Sequence, residues 1–411
     1  MVSDLLFSNL DAVARTIRNR PDKPFGGIKL VLSGDFAQLP PVSSEPSKYL
    51  QASGGGGGGG GGNGGGDPTG VVGVGAAGDR ASFAFQSPSW ADCIQPRDVF
   101  DFKTVFRQHK DAAFVRILQQ ARFGQLSQES VDILRTRCVA AQQPQPTCGT
   151  AAVGEEGGPV QLPTMLFTHR SQVEVENGKQ LQALGGDAHT FEMRISDNGG
   201  NCSEARLKAL VASCPAKRRL RLKVGAEVIL VRSVAPRDGL VNGARGVVVR
   251  FSEPLQSGSA AARSVSGPSA GKAAGNPPVT TSSCIIRPGL PVVRFQNGQE
   301  VTVRPETWIE NQPTGSGGSS SGSGGAFVKQ IPLELAWAIS IHKAQGLSLP
   351  AVEIDLTKTF EAGQAYVALS RATSLSGLTL RGSLNPAAIR AHPAVTQFYR
   401  SLPQAVNNDE L

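Results

Sequence analysis

Aromatic residues make up only 6% of this 411-residue chain, so a surface built mainly from stacked rings is not expected. The six cysteines (Cys93, Cys138, Cys148, Cys202, Cys214 and Cys284) include no Cys-x-x-Cys pair. That argues against a zinc site or a disulfide framework and makes reduced thiols in an intracellular compartment the expectation. No apolar run is long enough to span a membrane, and the N-terminus lacks the layout of a signal or transit peptide. A phosphate-cradling P-loop is also missing. Gly54 to Gly62 are nine consecutive glycines, but no Gly-x-x-x-x-Gly-Lys-Ser/Thr follows a strand, and Gly271-Lys272 runs into Ala273.

What is present is a basic surplus, 41 Lys and Arg against 33 Asp and Glu for a formal net charge of +8, which suits a polyanionic partner. The length allows two or three modest cores, discounted for an uneven spread of 49 glycines and 27 prolines. Segments 51–80, 141–160, 254–280 and 311–326 are rich in Gly, Ser, Ala, Gln or Pro and read as disordered loops.

The helical stripe Leu6, Leu10, Val13, Ile17 places an amphipathic helix over Asp4 to Asn19. Ile28 to Leu32 reads as a strand that delivers Gly34, Asp35 and Gln38 to its carboxyl end. Asp111–Arg122, with Val115, Leu118 and Ala121 inward, and Gln128–Arg137 read as helices; Thr164–His169 reads as a strand and Arg170–Leu184 as the helix after it. Lys217–Lys223 is a basic run whose commoner meaning is a solvated face. Asn297-Gly298 between alternating strands signals a hairpin with both turn positions at positive φ, and Asn242-Gly243 is a weaker signal of the same kind. Short strands over 223–310 imply a small β-barrel. Leu335 to Ile341 forms an apolar strand that ends at His342, Lys343 and Gln345, where an open α/β sheet places ligands. Ala351–Asp355 is the next strand, Gln364–Ala372 a helix, Leu378–Leu380 a strand, and Pro386–Tyr399 the closing helical structure.

Four segments stand in a telling order. Ser33-Gly34-Asp35-Phe36-Ala37-Gln38-Leu39-Pro40-Pro41-Val42 resembles helicase motif III, and Val105-Phe106-Arg107-Gln108 resembles motif IV. Ile339-Ser340-Ile341-His342-Lys343-Ala344-Gln345-Gly346 resembles motif V, and Gln364-Ala365-Tyr366-Val367-Ala368-Leu369-Ser370-Arg371 resembles motif VI. The chain thus resembles the Pif-type (petite integration frequency) DNA helicases of superfamily one B over most of its length outside the loose segments. The resemblance implies an α/β fold of two RecA-like domains. The first is an incomplete remnant (1–106, with the Gly-rich loop at 51–80), and the second (107–222 and 327–411) is interrupted by the barrel insert (223–310).

It also implies roles. Arg107, Arg371 and Gln38 would act catalytically at the γ-phosphate of ATP, and Gly34, Asp35 and Gly346 would complete the nucleotide contacts. Thr168, His169, Ser340, His342 and Lys343 would meet single-stranded DNA. The cofactors would be ATP and Mg²⁺, with no metal-ligand set in this chain. Partners would be single-stranded DNA and DNA junctions, with RNA open, no membrane, and a monomer expected. The setting would be the nucleus or mitochondrion, in repair, recombination and telomere maintenance. The chain departs from the family in lacking the P-loop and the acidic pair of the second nucleotide motif, and Met1 coincides with the methionine just after that pair. An N-terminally truncated 5′-to-3′ helicase is therefore the leading expectation. A non-catalytic nucleic-acid-binding module is the alternative.

Overall fold

The computed structural model describes residues 2–41, 82–102, 104–139, 163–197, 203–253, 289–309 and 326–402. The segments read above as loose loops lie outside the described residues, apart from Ala326, which opens a strand. In chain order, α1 (Asp4–Ile17) is followed by α2 (Pro88–Cys93), α3 (Ala112–Arg122), α4 (Gln128–Thr136), β1 (Cys138–Val139), β2 (Thr164–Phe167) and α5 (Arg170–Ala183). Then come β3 (His189–Glu192), β4 (Arg194–Asp197), α6 (Glu204–Ser213), β5 (Arg219–Leu222), β6 (Glu227–Leu230) and β7 (Arg245–Phe251). After these run β8 (Pro291–Phe295), β9 (Glu300–Thr302), β10 (Glu306–Ile309), β11 (Ala326–Gln330) and β12 (Leu333–Leu335). Next are β13 (Ala338–Ser340), α7 (Ile341–Ala344), β14 (Val352–Ile354), α8 (Gln364–Leu369), β15 (Leu378–Arg381) and α9 (Pro393–Ser401).

Two compact units emerge. The first takes the described residues within Met1–Gln143, Pro163–Gln172 and Ile339–Leu411, and the second those within Val173–Ala338.

The first unit carries a five-stranded sheet in the order β1-β15-β14-β2-β13, with β1, β15, β14 and β2 paired in parallel. One face of its central strands is fully buried, with Leu166, Val352, Ile354 and Leu378 side by side in register, while Met165, Glu353 and Thr379 on the other face keep some exposure. Ser3 caps α1 by accepting the Leu6 N–H at 3.2 Å. The helix forms as expected, but its predicted stripe faces outward: Leu6, Leu10, Val13 and Ile17 are exposed, while Phe7 and Asp11 are buried. Phe7 packs on Phe25 and Trp90, with ring centroids 5.1 and 5.6 Å apart. The Asp11 carboxylate accepts the Phe25 N–H at 2.6 Å, Ser89 Oγ–H at 2.9 Å and Arg15 Nε–H at 2.8 Å. Burial raises the pKa of Asp11, but these donors outweigh it and hold the group below the usual carboxylate range. Aromatic packing and a satisfied carboxylate therefore decide which face turns in.

The strand expected over Ile28 to Leu32 does not form. The segment has no ladder partner among the described residues and leaves Val31 94% exposed. Apolar alternation makes a strand only where a neighbour can take its backbone groups. The closing helix is also shorter than expected. Pro386–Ala388 make one 3₁₀ turn, and α9 starts afresh at Pro393, a residue tolerated in a helix's first turn but not its interior.

The second unit is antiparallel, with ladders β12-β6-β7-β8-β9, β10-β11-β4 and β3-β5. Leu222, Val228, Val248, Val293 and Leu333 sit at the centre of its main core. In the pairings described, β12 and β9 are the edges of an open sheet, so these pairings do not establish a closed barrel. The β8–β9 hairpin forms, but only Gly298 adopts positive φ, at 82°. The Phe295 carbonyl accepts the Gly298 N–H at 2.9 Å, so the longer loop needs one left-handed residue rather than two. Asn242-Gly243 lies in the long β6–β7 connection, where Gly243 alone of the pair has positive φ. In the basic run, Leu220 and Leu222 point in and Arg219 and Arg221 point out, with Arg219 paired to Glu192 at 2.5 Å and Lys217 to Glu174 at 2.6 Å. Buried Asn177 donates to the Ala338 carbonyl at 2.8 Å and accepts its N–H at 2.9 Å, fixing the chain where it enters β13.

Candidate functional site

Arg107 and Arg371 converge on one residue of the first unit. Half-buried Arg107 donates from Nη1 to the Ser370 carbonyl at 3.2 Å and from Nε to Ser348 Oγ at 2.7 Å. Arg371, 2% exposed, donates from Nη2 to Ser370 Oγ at 2.7 Å, from Nε to the Val367 carbonyl at 2.8 Å and from Nη1 to the Leu347 carbonyl at 3.3 Å. Gln108 Nε2–H reaches the Ser370 and Ala372 carbonyls at 3.2 and 2.6 Å. Neither arginine has a carboxylate ion pair among the described residues. Burial, and then the charge of Arg107, pull the Arg371 guanidinium down to about 10; burial likewise lowers Arg107. Both remain cationic at neutral pH. Two neighbouring guanidiniums with no carboxylate ion pair among the described residues, and only the charge of Asp35 acting on Arg371, favour an anionic ligand.

The motif III segment docks beside them. Gln38 Oε1 accepts Gln345 Nε2–H at 3.0 Å. Gly363, with φ of 78°, lies so close to the Gln38 carbonyl that a Cβ there would collide with it. Asp35 is a hub. Its Oδ1 accepts Arg122 Nη2–H at 3.1 Å, Tyr399 O–H at 3.2 Å and the Ala37 N–H at 3.1 Å, and its Oδ2 accepts Tyr366 O–H at 3.2 Å. Burial and Asp35 push Tyr399 up to about 12 and Tyr366 up as well. Burial opposes the charge on Arg122, but Asp35 more than restores it. Arg122 also lies over the Tyr399 ring, 4.6 Å from its centroid. The sequence assigned Asp35 to nucleotide contact; here the protein itself occupies its carboxylate. Gly34 is exposed, and Gly346 takes φ of 89° in open space, where a Cβ would meet nothing within 4 Å.

The strand ends deliver a second group. Ser340 caps α7 by accepting the Lys343 N–H at 3.4 Å, so His342 and Lys343 sit on a helical turn directly after β13 rather than in a loop. Thr168, after β2, is buried and its Oγ1 lies 3.4 Å from Gln172 Oε1. His169 and His342 are exposed and flank Phe360, with near-parallel rings at centroid distances of 5.2 and 6.5 Å. His342 Nε2 lies 3.2 Å from Glu361 Oε2. Phe360, 47% exposed, is held by its N–H donating to Gln364 Oε1 at 3.2 Å and its carbonyl accepting Arg390 Nη2–H at 2.6 Å. Sequence reading missed Phe360, Arg122, Tyr366 and Tyr399. An isolated aromatic after a short strand carries no periodic signal, and the hub's members are far apart along the chain.

Comparison with known proteins then gives two family matches: residues 1–53 to the PIF1-like helicase family and residues 207–251 to the 2B domain of DNA helicase Pif1. The ATP-dependent DNA helicase PIF1 of Xenopus laevis is 35% identical over 404 residues, covering 98% of this chain and 48% of that protein. The chain spans about half the length of the curated relatives it matches. The Pif1 helicase crystal structure from Candida albicans superposes with a TM-score of 0.68 at 27% identity, over 98% of this chain and 75% of that one. A Bacteroides Pif1 structure in complex with ADP-AlF3 and single-stranded DNA has the same fold, with a TM-score of 0.60 at 22% identity, covering 97% of this chain and 72% of that one.

Proposed function

We propose that this chain, which is similar to the PIF1-like helicases, forms the arginine-bearing part of an ATP-dependent 5′-to-3′ DNA helicase acting on single-stranded DNA and junctions in genome maintenance. The observation that carries this reading is the Arg107–Arg371 pair meeting at Ser370 with no carboxylate ion pair among the described residues. The relatives' names and the polyanion-suited charge support it. ATP with Mg²⁺, when bound, supplies a triphosphate whose terminal group passes to water. In this chain Arg107 and Arg371 would hold that group and neutralise its developing charge. Gln38, bonded to Gln345 at the end of α7, would tie that contact to the turn carrying His342 and Lys343. These residues, with Thr168, His169, Ser340 and Phe360, would hold the DNA strand. The compartment proposed is the nucleus or mitochondrion. Among the described residues no helix is long and apolar enough to cross a membrane.

The test joins this chain to the nucleotide-binding portion of the Xenopus relative. Single-stranded DNA is expected to stimulate ATP turnover in the joined protein, while the chain alone binds DNA without turnover. A folded, DNA-binding joined protein that hydrolyses no ATP would overturn the catalytic reading. A second reading, a binding module without catalysis, is favoured by one fact: Arg371 is only 2% exposed and donates to its own unit.

Two binding predictions arise from the strand-end group. Lys343→Ala weakens binding of a dT oligomer and lowers the salt slope by about 0.7, the contribution of one cation on a single strand. Phe360→Ala weakens binding by roughly 5- to 150-fold with the slope unchanged, because a stacked base contributes affinity without releasing counterions. Fluorescence anisotropy titrations across a salt series separate the two, and a slope that moves with Phe360 counts against stacking.

A further inference from the structure

Among the described residues, the sheet β10-β11-β4 of the second unit has one face packed against α6 and one exposed face. Ala326 and Val328 point inward from β11 onto Leu210 of α6 and Met193. Trp308 of β10 packs at the same core, with the Arg232 guanidinium 5.4 Å from its ring centroid. Side chains alternate across a strand, so their neighbours in sequence face the other way. On that outer face Thr307, Lys329 and Arg194 stand in one row, because Thr307 pairs with Lys329 and Lys329 with Arg194. Ile309, Phe327 and Ser196 form the next row by the same registers.

Lys329 and Arg194 are both exposed, and neither has an acidic partner among the described residues. Like charges placed directly opposite each other on an antiparallel pair destabilise the sheet. Folding gains nothing from this arrangement, whereas an anion lying across the two side chains would relieve it. Next to the cations, Ile309 is 65% exposed and Phe327 is partly exposed, an apolar foot beside a charged row. The basic run at β5 offers a contrast, since there Arg219 and Lys217 are already matched by Glu192 and Glu174.

We propose that this open face is a second DNA-contact surface, in which Arg194 and Lys329 bind adjacent backbone phosphates of a single strand while Phe327 and Ile309 take apolar contact with its sugars or bases. The inference rests on the DNA-binding reading above and places a contact on the second unit, in addition to the strand-end group of the first. Such a surface carries no sequence preference, because it reads backbone charge.

The experiment measures dT oligomer affinity of the full 411-residue chain from about 0.05 to 0.3 M salt. Arg194→Ala/Lys329→Ala is expected to lower the salt slope by about 1.4 and affinity by roughly 25-fold at about 0.1 M salt, two cations at about 0.7 each. Removing two exposed cations elsewhere, Arg221→Ala/Arg237→Ala, is expected to leave the slope within experimental error. Arg194→Glu, which sets opposite charges across the strands, is expected to raise the melting temperature while weakening binding. Equal losses in the two double variants would reduce the effect to overall charge and overturn the proposal. Unchanged binding in Arg194→Ala/Lys329→Ala, with Lys343→Ala still weakened, would overturn it and leave the DNA-binding reading standing. A parent chain that binds no DNA would overturn both. A slope change near about 1.8 seen only with duplex would move the surface to double-stranded DNA and overturn the single-strand assignment.

Discussion

Arg371→Ala in the joined protein lowers ATP turnover by about a thousandfold or more and leaves single-strand affinity within about twofold of the parent. The guanidinium is placed between the Val367 and Leu347 carbonyls and Ser370 Oγ, beside Arg107. Truncation therefore removes positive charge from a site where a phosphoryl group would develop negative charge, but it also leaves acceptors unmet, at a cost of about 1–3 kcal/mol. Arg371→Lys separates the two effects. It keeps a charge but loses the planar fork, so turnover is expected to stay low even where the melting temperature recovers. The measurement is single-turnover hydrolysis beside thermal melting and DNA titration. Retained turnover in either variant would remove Arg371 from the catalytic set. Loss of DNA binding in proportion to turnover would show that the substitution acts through folding.

Asp35→Ala is expected to cause the largest loss of stability. Its carboxylate accepts from Arg122, Tyr366 and Tyr399 and from the Ala37 N–H, joining the motif III segment to α3, α8 and α9. Removing it strands a largely buried guanidinium, for which about 3 kcal/mol is a reasonable cost given that both partners keep some solvent. For a unit of this size that corresponds to a fall in melting temperature of roughly 6–12 °C. Asp35→Asn tests the charge, since its amide oxygen can still accept from Arg122 but carries no compensating charge, and it recovers only part of the loss. Calorimetry of the full chain checks both, and a shift below about 2 °C would mean that the hub contributes little in solution.

How much of this was legible beforehand differs from element to element. The helices over Asp111–Arg122 and Gln128–Arg137 were legible, while their caps emerged from the structure, where Asp111 and Ser127 each accept the N–H three residues on, at 3.0 and 3.2 Å. The strands at Thr164 and Val352 and the polar residues after Ser340 were also legible, because strands of a parallel sheet give short apolar runs with polar residues at their carboxyl ends. The outward stripe of α1 was not, since periodicity shows that a helix has an apolar side but not which side finds a partner. Ile28 to Leu32 failed for the same reason: its pattern is that of a strand, and no described neighbour pairs with it.

The sequence by itself determined the order of the motifs, the residue types they bring, and roughly where the longer helices lie. These are properties of a few adjacent residues and need no distant partner. Only the tertiary structure decided that Arg107 and Arg371 meet at Ser370, that Asp35 is bonded by Arg122, Tyr366 and Tyr399, and that Phe360 lies between His169 and His342. Those groupings depend on which strands lie side by side and on which buried charges must be matched, and both are settled by packing between segments far apart in the chain.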